Sequence, residues 1–182
     1  MAAGAQSVAD QRPAKGGTEL QIWTAAGHSA INGIGDTGVW NLGLRYGVIL
    51  TGARGPRPLR GRLEYAVDAV PMYLVFQPRG ATYGVGVNPF AFKWLFDARG
   101  RVAPYFDFGG GILLTGSKVP AGVSHVNFAS GTGLGVNVGR GRAHWSLEVR
   151  WLHISDAGLT EDNPGINVIQ ARAGLGWFHH KE

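Results

Sequence analysis

The chain has 182 residues, among them 30 glycines and no cysteine, and a formal net charge of +5. That length suits a single domain, and the lack of cysteine excludes a disulfide framework and thiol chemistry. No run of 18 or more apolar residues occurs, which excludes a transmembrane helix but not a spanning barrel, whose signal is alternation; the positive charge favours anionic partners such as lipid phosphates without choosing among them.

Residues 1–17 are small and polar and read as a flexible leader, in which Ala2-Ala3-Gly4-Ala5-Gln6 has the composition left by a small-residue cleavage site. A first strand is expected around 18–26. In the second, Trp40, Leu42, Leu44, Tyr46, Val48 and Leu50 alternate with Asn41, Gly43, Arg45, Gly47 and Ile49. The third sets Leu59, Leu63, Tyr65 and Val67 against Arg60, Arg62, Glu64 and Asp68. Five more strands are expected around 81–96, 101–114, 123–138, 142–155 and 166–178. In the last, Ile169, Ala171, Ala173, Leu175 and Trp177 lie opposite Gln170 and Arg172. One face is thus apolar and aromatic, and the other small, polar or charged, which is the lining of a membrane barrel and not of a soluble sandwich.

Segments 51–58, 97–100 and 139–141 read as turns on one side, and 27–38, 77–80, 115–122 and 156–165 as mostly longer loops on the other. That asymmetry puts the N-terminus on the periplasmic side. The expected fold is all-β: an eight-stranded antiparallel up-and-down transmembrane β-barrel over residues 18–178, followed by a tail at 179–182. Its inward charges, Arg45, Arg60, Arg62, Arg150 and Arg172 against Glu64, Asp68, Asp107 and Glu148, nearly cancel, so the lumen reads as scaffold. A soluble barrel with an internal ligand is the contrasting reading, and the greasy outward faces argue against it.

The seventh strand carries the candidate chemistry. Trp145, Leu147, Val149, Trp151, His153 and Ser155 share one face, so a base and a nucleophile sit at the external end of a lipid-facing stripe. Asn167, at the external start of the eighth strand, has the same outward parity. Polar side chains are disfavoured on a lipid face, so three together point to a site. A serine hydroxyl becomes nucleophilic when a neighbouring histidine takes its proton, and a third group orients the imidazole. The plainer alternative is a histidine and a serine that only mark the membrane boundary. His28, His125 and His144 have no spacing that suggests a metal, and His179 and His180 read as tail. The triplet Gly109-Gly110-Gly111 reads as strand bending and not as a phosphate cradle.

The stretch His153-Ile154-Ser155-Asp156-Ala157-Gly158-Leu159, with Asn163 and Gly165-Ile166 beyond it, resembles the lipid A 3-O-deacylase (PagL, acyloxyacyl hydrolase) family. Glu64-Tyr65, Pro71-Met72-Tyr73-Leu74-Val75-Phe76-Gln77 and Gly109-Gly110-Gly111 are similar to its other landmarks. The resemblance implies an eight-stranded barrel of the bacterial outer membrane that removes a 3-hydroxy fatty acid from lipid A by ester hydrolysis. It implies Ser155 as nucleophile, His153 as base and Asn163 as an oxyanion contributor. Lipid A, or lipopolysaccharide, and the outer membrane are the implied partners, with no cofactor, no metal and no nucleic acid; a homodimer is left open.

Two positions depart from the family pattern. Its catalytic glutamate falls on Asn167, and the asparagine that follows the serine is Asp156 here. Asparagine orients a histidine but supplies no negative charge, and Glu161 or Asp162 from the loop are the alternative carboxylates. The two function classes carried forward are a Ser/His ester hydrolase and a catalytically weak or inactive barrel with a structural or lipopolysaccharide-binding role.

Overall fold

The computed structural model describes residues 13–30, 33–97, 100–140, 142–161 and 164–179. Eight strands follow one another: β1 (Thr18–Ser29), β2 (Gly38–Ile49), β3 (Gly61–Gln77), β4 (Gly80–Phe96), β5 (Val102–Thr115), β6 (Val126–Arg140), β7 (Ala143–Ser155) and β8 (Ile166–His179). Each pairs antiparallel with its neighbour, and β8 returns to β1 to close the barrel. Closure leaves no sheet edge, so every strand meets its backbone hydrogen-bonding need within the wall, as lipid demands. This is the expected fold.

Alternation decides which way each strand faces. Leu44 and Tyr46 are 49% and 55% exposed, while Arg45 between them is 1% exposed. The apolar side therefore faces outward, the reverse of a soluble protein. Register shifts occur in β3 between Val70 and Tyr73 and in β4 between Val87 and Phe90. At the first of these Pro71 and Met72 are both exposed, and the inward sequence resumes at Tyr73.

The lumen is filled in layers. Near its external end, Val39, Val75, Leu113, Val119, Leu152, Ile154, Ile166 and Val168 form an apolar plug. Across the middle, the Arg45 guanidinium donates to Asp68 at 2.7 and 2.9 Å and to Asp107 at 2.6 Å. Arg172 lies 4.0 Å over the Trp23 ring. Toward the end where β1 begins and β8 finishes, Lys93 and His144 both reach Glu19, at 2.5 and 2.8 Å, and Tyr105 hydrogen-bonds Ser146 at 2.7 Å. Ionic groups buried this way are tolerated because each faces an opposite charge.

Two of the presumed lumen cations need correction. Arg60 precedes β3 and its side chain is 45% exposed, and Arg62 sits at the rim; both bind Asp97. Their place inside is taken by Lys93, Glu19 and His144. At the same end, Gly16 donates to the Ile49 carbonyl at 2.8 Å and Ile49 donates to that of Gly17 at 2.9 Å, so residues just before β1 dock against β2. The cleavage-like stretch at 2–6 lies outside the described residues, as do residues 180–182.

Candidate active site

Strand pairing assembles the candidate site at the external ends of β6, β7 and β8. His153 is the Cα partner of Asn167 on one side and of Ser130 on the other. Paired residues on one face of an antiparallel sheet stand ~4.5–5.5 Å apart, so side-chain contact is built into the register. His153 Nδ1 lies 2.8 Å from Asn167 Oδ1. An amide oxygen only accepts, so Nδ1 is the donor of this contact, and in the neutral ring that leaves the Nε2 lone pair for a general base.

The imidazole is fixed on its flanks too. Trp151, two residues earlier on the same face, stacks on it with centroids 5.7 Å apart and planes 21° from parallel. Gly165 closes the other approach: a Cβ there would lie 2.7 Å from Cε1 of His153, and its φ of 63° is a conformation that glycine adopts without penalty. The loop between β1 and β2 holds Gly165 in place. Ile34 donates its amide to the Gly165 carbonyl at 3.1 Å, and Ala30 donates to that of Asn167 at 3.1 Å. Gly33 packs beneath this contact, where a Cβ would meet the Gly165 oxygen at 2.8 Å and Asn167 Nδ2 at 3.3 Å.

Ser155 follows His153 by two residues, opposite Phe128 of β6. Residues i and i+2 of a strand are roughly 6.5–7 Å apart at Cα. Among the hydrogen bonds of the described residues none joins the two side chains. Such contacts are often open in a substrate-free site and close when substrate binds. Ser155 is 8% exposed against 42% for Trp151, so the nucleophile candidate is recessed where the strand meets its loop and does not stand on open lipid face.

Asp156 is drawn into the loop. Its carboxylate accepts from the amides of Gly158 and Thr160 at 3.0 and 2.9 Å and from the Thr160 hydroxyl at 2.5 Å. The Thr160 hydroxyl, with these amides, holds the carboxyl below the usual range. Glu161 is exposed, and Asn163 and Asp162 lie outside the described residues. The structure therefore unites His153 with Asn167, places Ser155 beside them, and commits Asp156 to loop closure. The reading of the sequence missed Gly33 and Ser130. Ser130 is exposed opposite His153, and its outward parity on the sixth strand was its only signal. Among the described residues no group of three or more His, Cys, Asp or Glu could hold a metal.

Comparison with known proteins adds to this geometry. The sequence model of the lipid A 3-O-deacylase (PagL) family matches residues 38–176. No curated protein matches the sequence. Among solved structures, the outer membrane enzyme PagL superposes with a TM-score of 0.60 at 20% identity, over 85% of this chain and 97% of its own. Neisserial surface protein A gives 0.57 at 16% identity, over 90% and 99%. The outer membrane protein OprG from Pseudomonas aeruginosa gives 0.56 at 12% identity, over 94% and 99%. At such identities the three speak for the barrel fold.

Proposed function

The chain belongs to the lipid A 3-O-deacylase (PagL) family of the outer membrane, and from that premise we propose that it hydrolyses an ester-linked 3-hydroxyacyl chain of lipid A by a Ser/His mechanism. His153 Nε2 takes the proton of the Ser155 hydroxyl as Oγ attacks the ester carbonyl. The tetrahedral intermediate collapses, the C–O bond to the sugar breaks, and His153 returns the proton to the leaving sugar oxygen. Water, deprotonated by the same nitrogen, then releases the fatty acid from Ser155. Asn167 is a positioning residue: its oxygen fixes the Nδ1–H tautomer and the ring plane. Asn163 is the expected oxyanion donor.

The observation that carries this reading is the 2.8 Å contact from His153 Nδ1 to Asn167 Oδ1, which suits a neutral imidazole protonated at Nδ1 with Nε2 left to act as base. Position supports it as well. Lipid A is an outer-leaflet lipid with its ester linkages near the membrane surface, and the site lies at a strand end of the wall where His153 and Asn167 are half-buried and Ser155 is recessed at the loop. A second reading, a weak or inactive barrel that binds lipopolysaccharide, is favoured by one feature: Asn167 brings no charge to stabilise an imidazolium.

The deciding experiment incubates detergent-purified protein with lipid A beside Ser155→Ala and follows product masses. Loss of one hydroxyacyl group with the parent protein alone is the expected result. Equal deacylation by the folded variant would remove Ser155 from the mechanism, and no product with either protein would favour the binding barrel.

A further inference from the structure

Beside the site, three loops border an open cleft of about 940 Å³. Its walls are Ile34 from the β1–β2 loop, Lys118 and Val123 from the β5–β6 loop, and Thr160, Glu161 and Pro164 from the β7–β8 loop. Two short connections tie it to the chemistry. Pro164 precedes the glycine that packs on His153, and Thr160 binds Asp156, the neighbour of Ser155. An ester held at Ser155 would have its acyl chain toward the membrane and its alcohol portion toward this cleft.

The lining is mixed in a way that suits a sugar. Ile34, Val123 and Pro164 offer apolar surface to the carbon face of a pyranose, while the exposed Glu161 carboxylate offers an acceptor for hydroxyl and amide groups. Lys118 adds a positive charge. Among the described residues it forms no ion pair, and its ammonium contacts only the Gly122 carbonyl, at 3.3 Å. That is a neutral and weak partner, and a phosphate would replace it with a charge-assisted bond.

The walls are also fixed in advance. Lys118 is held through its own carbonyl by Gln77 at 3.2 Å, Ser117 by the Thr82 hydroxyl at 2.9 Å, and Val119 by Ser124 at 2.7 Å. Val119 is fully buried in the apolar plug of the barrel, with Ile34 packed against that plug. A cleft whose walls are pinned to the barrel loses little entropy when a ligand binds.

We propose that this cleft is the headgroup subsite, which takes the phosphorylated glucosamine portion of the lipid substrate, with Lys118 on a phosphate. The proposal rests on the deacylase reading above. Its test compares two substrates, bisphosphorylated lipid A and the same lipid A after removal of its phosphates. For Lys118→Gln, the ratio of kcat/KM for the first substrate to that for the second should fall about tenfold, the effect of losing one charge-assisted hydrogen bond. A ratio equal to that of the parent overturns the assignment, whether both activities are kept or both drop together. Ala121, next to Gly122 in the β5–β6 loop, also lines the cleft, and Ala121→Trp, which fills it, should lower kcat/KM for lipid A relative to a p-nitrophenyl 3-hydroxyacyl ester that lacks a headgroup; equal effects on the two esters also overturn it. Ser155→Ala separates the two ideas. Activity retained in that variant sinks the serine mechanism, and binding to lipid in detergent micelles reads the cleft without turnover: bisphosphorylated lipid A should bind Ser155→Ala more tightly than the dephosphorylated lipid, a preference that Lys118→Gln removes, and no preference overturns the cleft assignment.

Discussion

At position 167 stands an amide where the family resemblance implies a carboxylate, and its hydrogen bond to His153 brings no charge. In a serine protease the corresponding replacement costs about 10⁴ in turnover, in large part because the histidine tautomer is wrong. Here the amide oxygen faces Nδ1, which favours the Nδ1–H tautomer and leaves the electrostatic part missing. Asn167→Glu should therefore raise kcat by roughly 10- to 100-fold, a fraction of that full cost. Steady-state rates on lipid A measure it, and an unchanged or lower rate would show that the site does not build charge on His153. Asp156 has a separate and testable job. A carboxyl whose pKa is lowered on folding lends stability that is complete above its unfolded value, ~3.9, and is lost as the pH falls through the lower folded one. Amide resonances of Gly158 and Thr160 should then report loop opening with a midpoint below ~3.9, and a midpoint above it would contradict the hydrogen bonds to Asp156.

Between elements, the informative contact is the one that joins two loops over a strand end. Gly165 needs both a positive φ and the space of a missing Cβ against His153, and Gly33 needs the same against Gly165. Gly165→Ala should cut kcat at least about tenfold, since a displacement of the base by a fraction of an ångström is felt directly in the transition state. The barrel should still show heat-modifiable migration, because strand pairing is untouched. Full activity in this variant would mean that His153 is not positioned by the loop. None of this contact was legible in the sequence, for it depends on two distant loops meeting. What the sequence did carry was parity for His153 and Asn167, which pair across the seventh and eighth strands, whereas Ser155, expected on the same outward face, is recessed at the strand end. Parity failed where strands are irregular. The shift between Val87 and Phe90 interrupts the alternation of β4, so Lys93 gave no inward signal, and Arg60 lay beyond the start of its strand.

For the whole molecule, the question is what keeps a narrow barrel rigid enough to hold a site on its outer surface. Lipid removes the usual hydrophobic drive on the outward face, so the lumen must supply specificity through its charge pairs and its apolar plug. Arg45 is the hub, because one guanidinium spans Asp68 and Asp107. Arg45→Met would leave both carboxylates buried without their main partner, a loss of about 3–5 kcal/mol by analogy with broken buried pairs. Replacing Arg45 with Met and Asp68 with Asn together should recover part of that stability, since one charge of each sign is removed, Asp107 keeps Arg150 and Arg172 nearby and Arg172 keeps Glu148. Urea unfolding in lipid vesicles distinguishes the cases. The turnover of the folded fraction should be the same in all of them, because the hub lies inside the wall and His153 faces out. If Arg45→Met unfolds at the parent concentration of urea, the network is not what fixes the barrel, and the apolar plug around Ile154, Ile166 and Val168 must hold the site strands alone.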